Sequence, residues 1–442
     1  MLEPTMLISS MLLATLLASS AAAHGAAQSP VQEHAPVQAS ILDELRVALQ
    51  PSLVAEGALL DRVARLPGAQ TPLGRGDAAT TVDLVWNAYA ASVRESVRLP
   101  STGGTVEVPG AGMRYTRRVF GEKPEKGWSL VLSLHGGGAA APSVNDQQWE
   151  NQQRLYTLDE GIYVVPRAPG NTWDLWHRPE IDKLFDRLIR DFLAVEGVDP
   201  DRVYVIGYSA GGDGVYQLAP RMADRFAGAA MMAGHPNETK PDGLRNIAFA
   251  LHMGANDHAF ERNRVAERWR TLLEELRAAD PDGYPHQVVI HPGKSHWMDR
   301  EDAAAIPWIK GFTRDPRPKR IVWLQDDVVH DRFYWLAVDE PKAGDRLVVE
   351  RSGNTITIAA ASRPLRLRIR LDDTMVDLDQ EIVVRTAERE LLRTKATRTL
   401  ATIVRTLDER GDPRSIFTAE IAVDVPVVPE TPAAKDARPA SP

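Results

Sequence analysis

The chain has 442 residues, 43% of them hydrophobic, enough for two or three packed units. Its formal net charge of −8 is spread without long blocks, which argues against nucleic acid and anionic membrane surfaces as partners. It contains no cysteine, which excludes disulfides, thiolate nucleophiles, lipoprotein anchoring and Cys-ligated metals.

Residues 6–23, MLISSMLLATLLASSAAA, carry no charge and end in small residues that suit cleavage near Ala23. Residues 1–23 therefore read as a signal peptide, with an uncleaved anchor or a buried helix as alternatives. The expected location is secreted or periplasmic. No later segment is apolar for long enough to cross a membrane, so no integral membrane association is expected after cleavage.

Residues 24–103 read as a linker followed by a small N-terminal helical segment. ILDELRVALQ and LVAEGALLDRVARL carry apolar residues at helical spacing on either side of Pro51, and residues 82–97 repeat the pattern. From about residue 104 the period changes. TVEV, MRYTRRVF and WSLVLSLHGGG read as strands, the last as a buried one. GIYVVPRAP, RVYVIGYS, FAGAAMMAG, IAFALHMGAND and HQVVIHPG are further strands. IDKLFDRLIRDFLAVEG and RVAERWRTLLEELRAA are helices among them, and DREDAAAIPWIKGFTR closes the unit as a helix. This alternation predicts an α/β unit over 104–318, a mostly parallel sheet covered on both faces.

After RDPRPKR the pattern shifts again. IVWLQ, RFYWLAV, RLVVE, NTITIAAA and PLRLRIRL predict a separate antiparallel, sandwich-like β domain over 319–424. RTLATIVRTLDERG reads as one helix capped by Gly411, and the Pro/Ala-rich residues 425–442 as a disordered tail. LRLRIRL reads as a solvated strand face rather than a polyanion site, and LDDTMVDLD as turn acids rather than a calcium loop.

The chemistry is concentrated at YVIGYSAGGDGVYQLA. A buried strand runs into Gly207-x-Ser209-x-Gly211, and a helix starts at once. That turn forces a strained backbone on the serine and exposes its hydroxyl. A serine hydroxyl needs an adjacent base. Asp257 closes the strand IAFALHMGAND, and His296 follows the strand HQVVIHPG, giving the chain order Ser, acid, His. Asp213, His258, His291 and Asp299 are weaker candidates, because each is too local or lies within a strand. The glycines of LSLHGGG supply backbone N–H donors for an oxyanion, assigned to Gly136 and Gly137 with Ala210 as the second donor. A phosphate cradle is the alternative, but no Lys follows the glycines. Trp173, Trp176 and His177 in GNTWDLWHRPEI, with Trp297 beside His296, are candidate substrate contacts.

These blocks resemble a known family. LHGGG, VDPDRVYVIGYSAGGDGVYQLAPRMADRFA, MGANDHAF and HPGKSHWM make residues 105–314 similar to the α/β-hydrolases. Within them the resemblance is to the extracellular esterase group, poly(3-hydroxybutyrate) depolymerase-like and feruloyl-esterase-like. It implies Ser209 as nucleophile, Asp257 as acid and His296 as base, acting on a small-molecule or polymeric ester without metal or cofactor. Two rivals share some of these features. One is a serine peptidase of the prolyl-oligopeptidase type; the other is a non-catalytic binding protein on a hydrolase scaffold.

Overall fold

Leu130, Val131, Leu132 and Leu134 make an apolar stretch broken only by Ser133, and in the computed structural model every residue from 130 to 134 is buried. A strand so placed must lie inside a sheet with both faces covered. The structure describes residues 41–49 and 56–430. The expected signal peptide, the linker up to residue 40 and the last twelve residues of the tail lie outside the described residues.

Three helices come first: α1 (Ile41–Ala48), α2 (Glu56–Ala64) and α3 (Arg75–Ser96). The central unit follows as β1 (Gly103–Val108), β2 (Ala111–Phe120), β3 (Trp128–Leu134), α4 (Pro142–Leu155), β4 (Gly161–Pro166), α5 (Pro179–Glu196), β5 (Val198–Tyr208) and α6 (Ala210–Arg221). It continues as β6 (Gly228–Met232), β7 (Ala248–Gly254), α7 (Arg262–Ala279), β8 (His286–His291) and α8 (Ala305–Lys310). The eight strands form one sheet in the order β1-β2-β4-β3-β5-β6-β7-β8. β1 and β2 are antiparallel to their neighbours, and β3 to β8 run parallel. This is the α/β-hydrolase fold. The chain leaves β3 toward one edge and β5 toward the other, so a crevice opens between their C-terminal ends, where such sheets bind ligands.

The C-terminal part contains β9 (Arg320–Leu324), β10 (Arg332–Phe333), β11 (Leu336–Val338), β12 (Arg346–Ser352), β13 (Thr355–Ala361) and β14 (Leu365–Leu371). β15 (Ile382–Arg385), β16 (Glu390–Thr394), α9 (Leu400–Arg410) and β17 (Ala419–Val425) complete it. They make a four-stranded sheet, β10-β11-β14-β17, and a five-stranded one, β16-β15-β13-β12-β9. All pairings are antiparallel except β13 with β15.

Several expectations need correction. RFYWLAV is a hairpin, not one strand: Tyr334 takes a left-handed φ of 53°. Its hydroxyl donates to the Ala223 carbonyl at 3.1 Å, and the Trp335 indole donates to the Pro318 carbonyl at 2.9 Å, so both rings turn into the core. The closing helix of the central unit is a 3-10 turn followed by the short α8. The β domain is not separate. Trp323, Phe333, Trp335 and Ile369 share one apolar core with Val215, Trp269 and Tyr284 of the central unit. The N-terminal helices do not pack by themselves either. Val85, Tyr89 and Val93 of α3 meet Ile403, Val404 and Leu407 of α9 in a common cluster. Order also persists beyond Val425, since Val428 exchanges backbone hydrogen bonds with Ala361 at 2.9 Å. In β14, Arg366 and Arg368 pair with Asp424 and Asp339 at 3.0 Å each, and the acids of LDDTMVDLD meet Arg75, Arg317 and Arg398.

Candidate active site

β5 reaches Ser209 with φ 58° and ψ −124°, a conformation that side chains adopt only under constraint. The constraint is close packing. A Cβ on Gly207 would lie 2.2 Å from the Gly211 carbonyl oxygen, and one on Gly211 would lie 2.1 Å from that of Leu134. The Ser209 N–H donates to the Met232 carbonyl at 2.9 Å, and its own carbonyl accepts the Asp213 N–H at 3.0 Å. The hydroxyl is left at the crevice. Ala210 opens α6, so its N–H has no partner within the helix and sits at the positive end of the helix dipole.

Asp257 ends the turn after β7. Its N–H donates to the Gly254 carbonyl at 3.0 Å, and its carbonyl accepts the Asn263 N–H at 3.1 Å. The carboxylate is 2% exposed. His296 lies in the loop after β8, which is held in place from two sides. Tyr208 Oη donates to the His296 carbonyl at 2.6 Å and accepts the Met298 N–H at 3.2 Å, while Asn256 N–H donates to the Lys294 carbonyl at 2.8 Å. The imidazole bridges the other two groups. Its Nδ1 is 2.7 Å from Asp257 Oδ2, and its Nε2 is 2.9 Å from Ser209 Oγ. A carboxylate can only accept, so Nδ1 carries the proton and Nε2 faces the hydroxyl as an acceptor.

The four other acids and histidines considered do not join this contact. Asp213 lies in the first turn of α6 and accepts the His235 N–H at 2.6 Å; burial pushes its carboxyl up to about 6. His258 turns to Asn263, His291 to His252 at 3.0 Å, and Asp299 to Lys294 at 2.9 Å.

The glycine loop is shaped from behind by His135. This fully buried imidazole accepts the Ala168 N–H on Nε2 at 3.1 Å, so its Nδ1 donates to the Gly136 carbonyl at 2.6 Å. Burial lowers its pKa to about 4, which keeps it neutral. With the Gly136 carbonyl fixed on His135, the trans peptide sends the Gly137 N–H the opposite way. Gly137 has φ 106°, and a Cβ there would meet Asn145 Oδ1 at 2.3 Å. Asn145 itself accepts the Gly138 N–H at 2.8 Å. The loop therefore needs glycine at this point.

Gly136, Gly137, Tyr208, Ser209, His296 and Trp297 line a cleft of about 560 Å³, whose far wall is α4 with Val144, Gln148, Asn151, Gln152 and Leu155. Of the four substrate contacts expected from the sequence, only Trp297 lines it; that side chain is 48% exposed. Trp176 is a core residue: fully buried, it stacks on Phe185 and donates its indole N–H to the His135 carbonyl at 3.1 Å. His177 is buried with Trp173 edge-on to it at 5.3 Å, and burial lowers its pKa. Trp173 is 61% exposed, beside rather than in the cleft. The sequence reading missed α4 and Tyr208. The signal was present: Pro142 opens a helix, and Asn145, Gln148 and Gln152 then fall on one face. Among the described residues, Glu238, Asp326 and Asp327 bring carboxylate oxygens within 4.8 Å of one another, away from this cleft.

Residues 166–311 match the model of the dienelactone hydrolase family, of the α/β-hydrolase superfamily; the segment holds Ser209, Asp257 and His296 but not the glycine loop. Over 128 residues the chain is 34% identical to "Putative esterase NocK" of Nocardia uniformis subsp. tsuyamanensis. That alignment covers 27% of this chain, and the chain spans 37% of the relative's length. Among solved structures, a thermostable esterase matches at 20% identity over 48% of this chain and 62% of its own, with a TM-score of 0.35. The poly(3-hydroxybutyrate) depolymerase LpqC of Bordetella parapertussis matches at 15% identity over 52% of this chain and 96% of its own, with a TM-score of 0.37.

Proposed function

We propose that this protein is an exported serine hydrolase that cleaves carboxylic esters through an acyl-enzyme. The observation that carries the reading is the imidazole of His296, within hydrogen-bond reach of both Ser209 Oγ and Asp257 Oδ2. As Ser209 Oγ attacks the ester carbonyl carbon, its proton passes to His296 Nε2. Asp257 holds the ring in the required tautomer and balances the imidazolium that forms. The tetrahedral oxyanion is stabilised by the N–H groups of Ala210 and Gly137. Collapse expels the alcohol, which takes the proton from Nε2. Water then attacks the acyl-enzyme with His296 again as base, and the carboxylic acid leaves. The family match over residues 166–311 supports the hydrolase assignment. The cleft wall from α4 is built of amide and apolar side chains, which favours an uncharged ester group there. Export rests on the uncharged stretch of residues 6–23.

The test is fluorophosphonate labelling with a panel of p-nitrophenyl, feruloyl and polyester substrates, run beside peptide amides. The expected result is labelling at Ser209 and ester turnover, both lost in S209A. Turnover that survives in S209A, or folded wild type that takes no label, overturns the reading. Export is checked by the mass of the protein recovered outside the cytoplasm, expected to begin just after Ala23.

A further inference from the structure

Arg262 is the first residue of α7, and its guanidinium turns back toward Asp257. Nη1 lies 3.7 Å from Asp257 Oδ1, the carboxylate oxygen that His296 does not use. The side chain is 11% exposed, and its Nε is buried without a hydrogen-bond partner. The ring of Phe260 covers the guanidinium, with 4.8 Å from the charged carbon to the ring centre.

Two features say that α7 itself does not account for this placement. The first turn of α7 has no acid and begins with a cation, which the helix dipole disfavours there. The approach is also strained, since Phe260 and Glu261 hold consecutive left-handed φ values of 53° and 55°. The chain accepts both costs, and the result is a nearly buried cation beside the proposed catalytic acid. The charged and titratable groups around it are Asp257 from the turn after β7, Asp213 from α6, and His235 from the loop after β6. His296 reaches the same cluster through Asp257 and Asp213, and Arg268 of α7 adds a second cation toward His235.

We propose that Arg262 is a positioning residue for ester cleavage: it fixes the free oxygen of Asp257 so that the other oxygen holds His296 in line with Ser209. The assignment rests on the triad reading above. It makes two demands. Losing the guanidinium lets the carboxylate rotate and misaligns the base, which lowers kcat more than it changes KM. Losing a positive charge from this cluster also makes a second one, the imidazolium, easier to form.

The experiment is a pH series of kcat and KM on a short p-nitrophenyl ester for wild type, R262Q, R262K and R264Q. R262Q is expected to lose about ten- to a hundredfold in kcat with little change in KM. The acid limb of its kcat/KM profile moves to higher pH. R262K keeps the wild-type acid limb and recovers part of kcat. R264Q removes an exposed cation from the same turn and matches wild type throughout. R262Q with wild-type kcat and acid limb overturns the assignment. If R262Q does not fold, R262K decides: a several-fold loss of kcat at constant KM supports the assignment, and wild-type kcat overturns it. Wild type that hydrolyses no ester and takes no fluorophosphonate overturns the triad reading, and this assignment with it. Active wild type with unchanged R262Q overturns the Arg262 assignment alone.

Discussion

At the scale of single residues, the site depends on backbone positions that only certain side chains tolerate. Gly137 is the clearest. Its φ of 106° and the 2.3 Å approach of a would-be Cβ to Asn145 Oδ1 leave no room for alanine. G137A must shift the loop and its N–H away from the proposed oxyanion position. We expect kcat to fall by about 10²–10³, with KM nearly constant and unchanged far-UV circular dichroism. Turnover like wild type would place the oxyanion elsewhere. Glycines at 136 and 137 stand out in the sequence, but their supports do not. His135 orients the Gly136 carbonyl from beneath, and Trp176 holds the His135 carbonyl in turn. Trp176 reads from sequence as a pocket wall because loop tryptophans after strands often are. Only packing shows it buried against Phe185.

At the scale of elements, strand periodicity locates the central sheet well, because fully buried strands leave continuous apolar runs. α4 escaped that logic. It is amphipathic in reverse, with amides rather than aliphatic groups facing inward: Asn145 and Gln152 are buried and hydrogen-bonded to Gly138 and Ser133. α9 was legible as a helix, with Gly411 at φ 55° as its cap, but its partner was not. It packs against α2 and α3, from the opposite end of the chain, through Leu400, Ile403, Val404 and Leu407. Truncating the fully buried Leu407 tests this packing. L407A is expected to cost about 2–5 kcal/mol of stability in urea or thermal unfolding. The fluorophosphonate labelling rate of the folded protein should stay as in wild type, because α9 contributes nothing to the cleft. A variant as stable as wild type would contradict the shared core.

At the scale of the whole molecule, the central and C-terminal parts are joined by buried charge as well as apolar surface. Asp412, just after α9, accepts from Arg314 at 2.8 Å and from Arg225 at 3.2 Å; all three side chains are about 1% exposed. Arg225 also meets Asp186 at 2.9 Å, and Arg410 meets Asp224. Neutralising Asp412 leaves the buried guanidinium groups one counter-charge short, with only Asp186 still on Arg225 and Asp201 on Arg314, so D412N should cost about 3–5 kcal/mol near neutral pH. The two guanidinium groups overcome the burial of Asp412 and lower its pKa to about 2. Its folded value lies below that of an unfolded aspartate, so its contribution is full above the ordinary carboxylate range. It is lost as pH falls toward 2. The gap in Tm between wild type and D412N is therefore expected to narrow steadily from about pH 5 to pH 2. A constant gap would mean that the carboxylate charge is not what joins the parts.

The sequence by itself determined the sheet, the elbow at Ser209 and the chain order of serine, acid and histidine. Each is local: a run of apolar residues, a turn that demands glycine, a loop after a strand. The tertiary structure decided what those local signals meet. It brought three loops to one crevice, put α4 in the place of three of the four expected pocket residues, and merged the outer β sheets and terminal helices into the core of the central unit. Those outcomes depend on contacts between residues far apart in the chain, and no pattern within a short window encodes the partner.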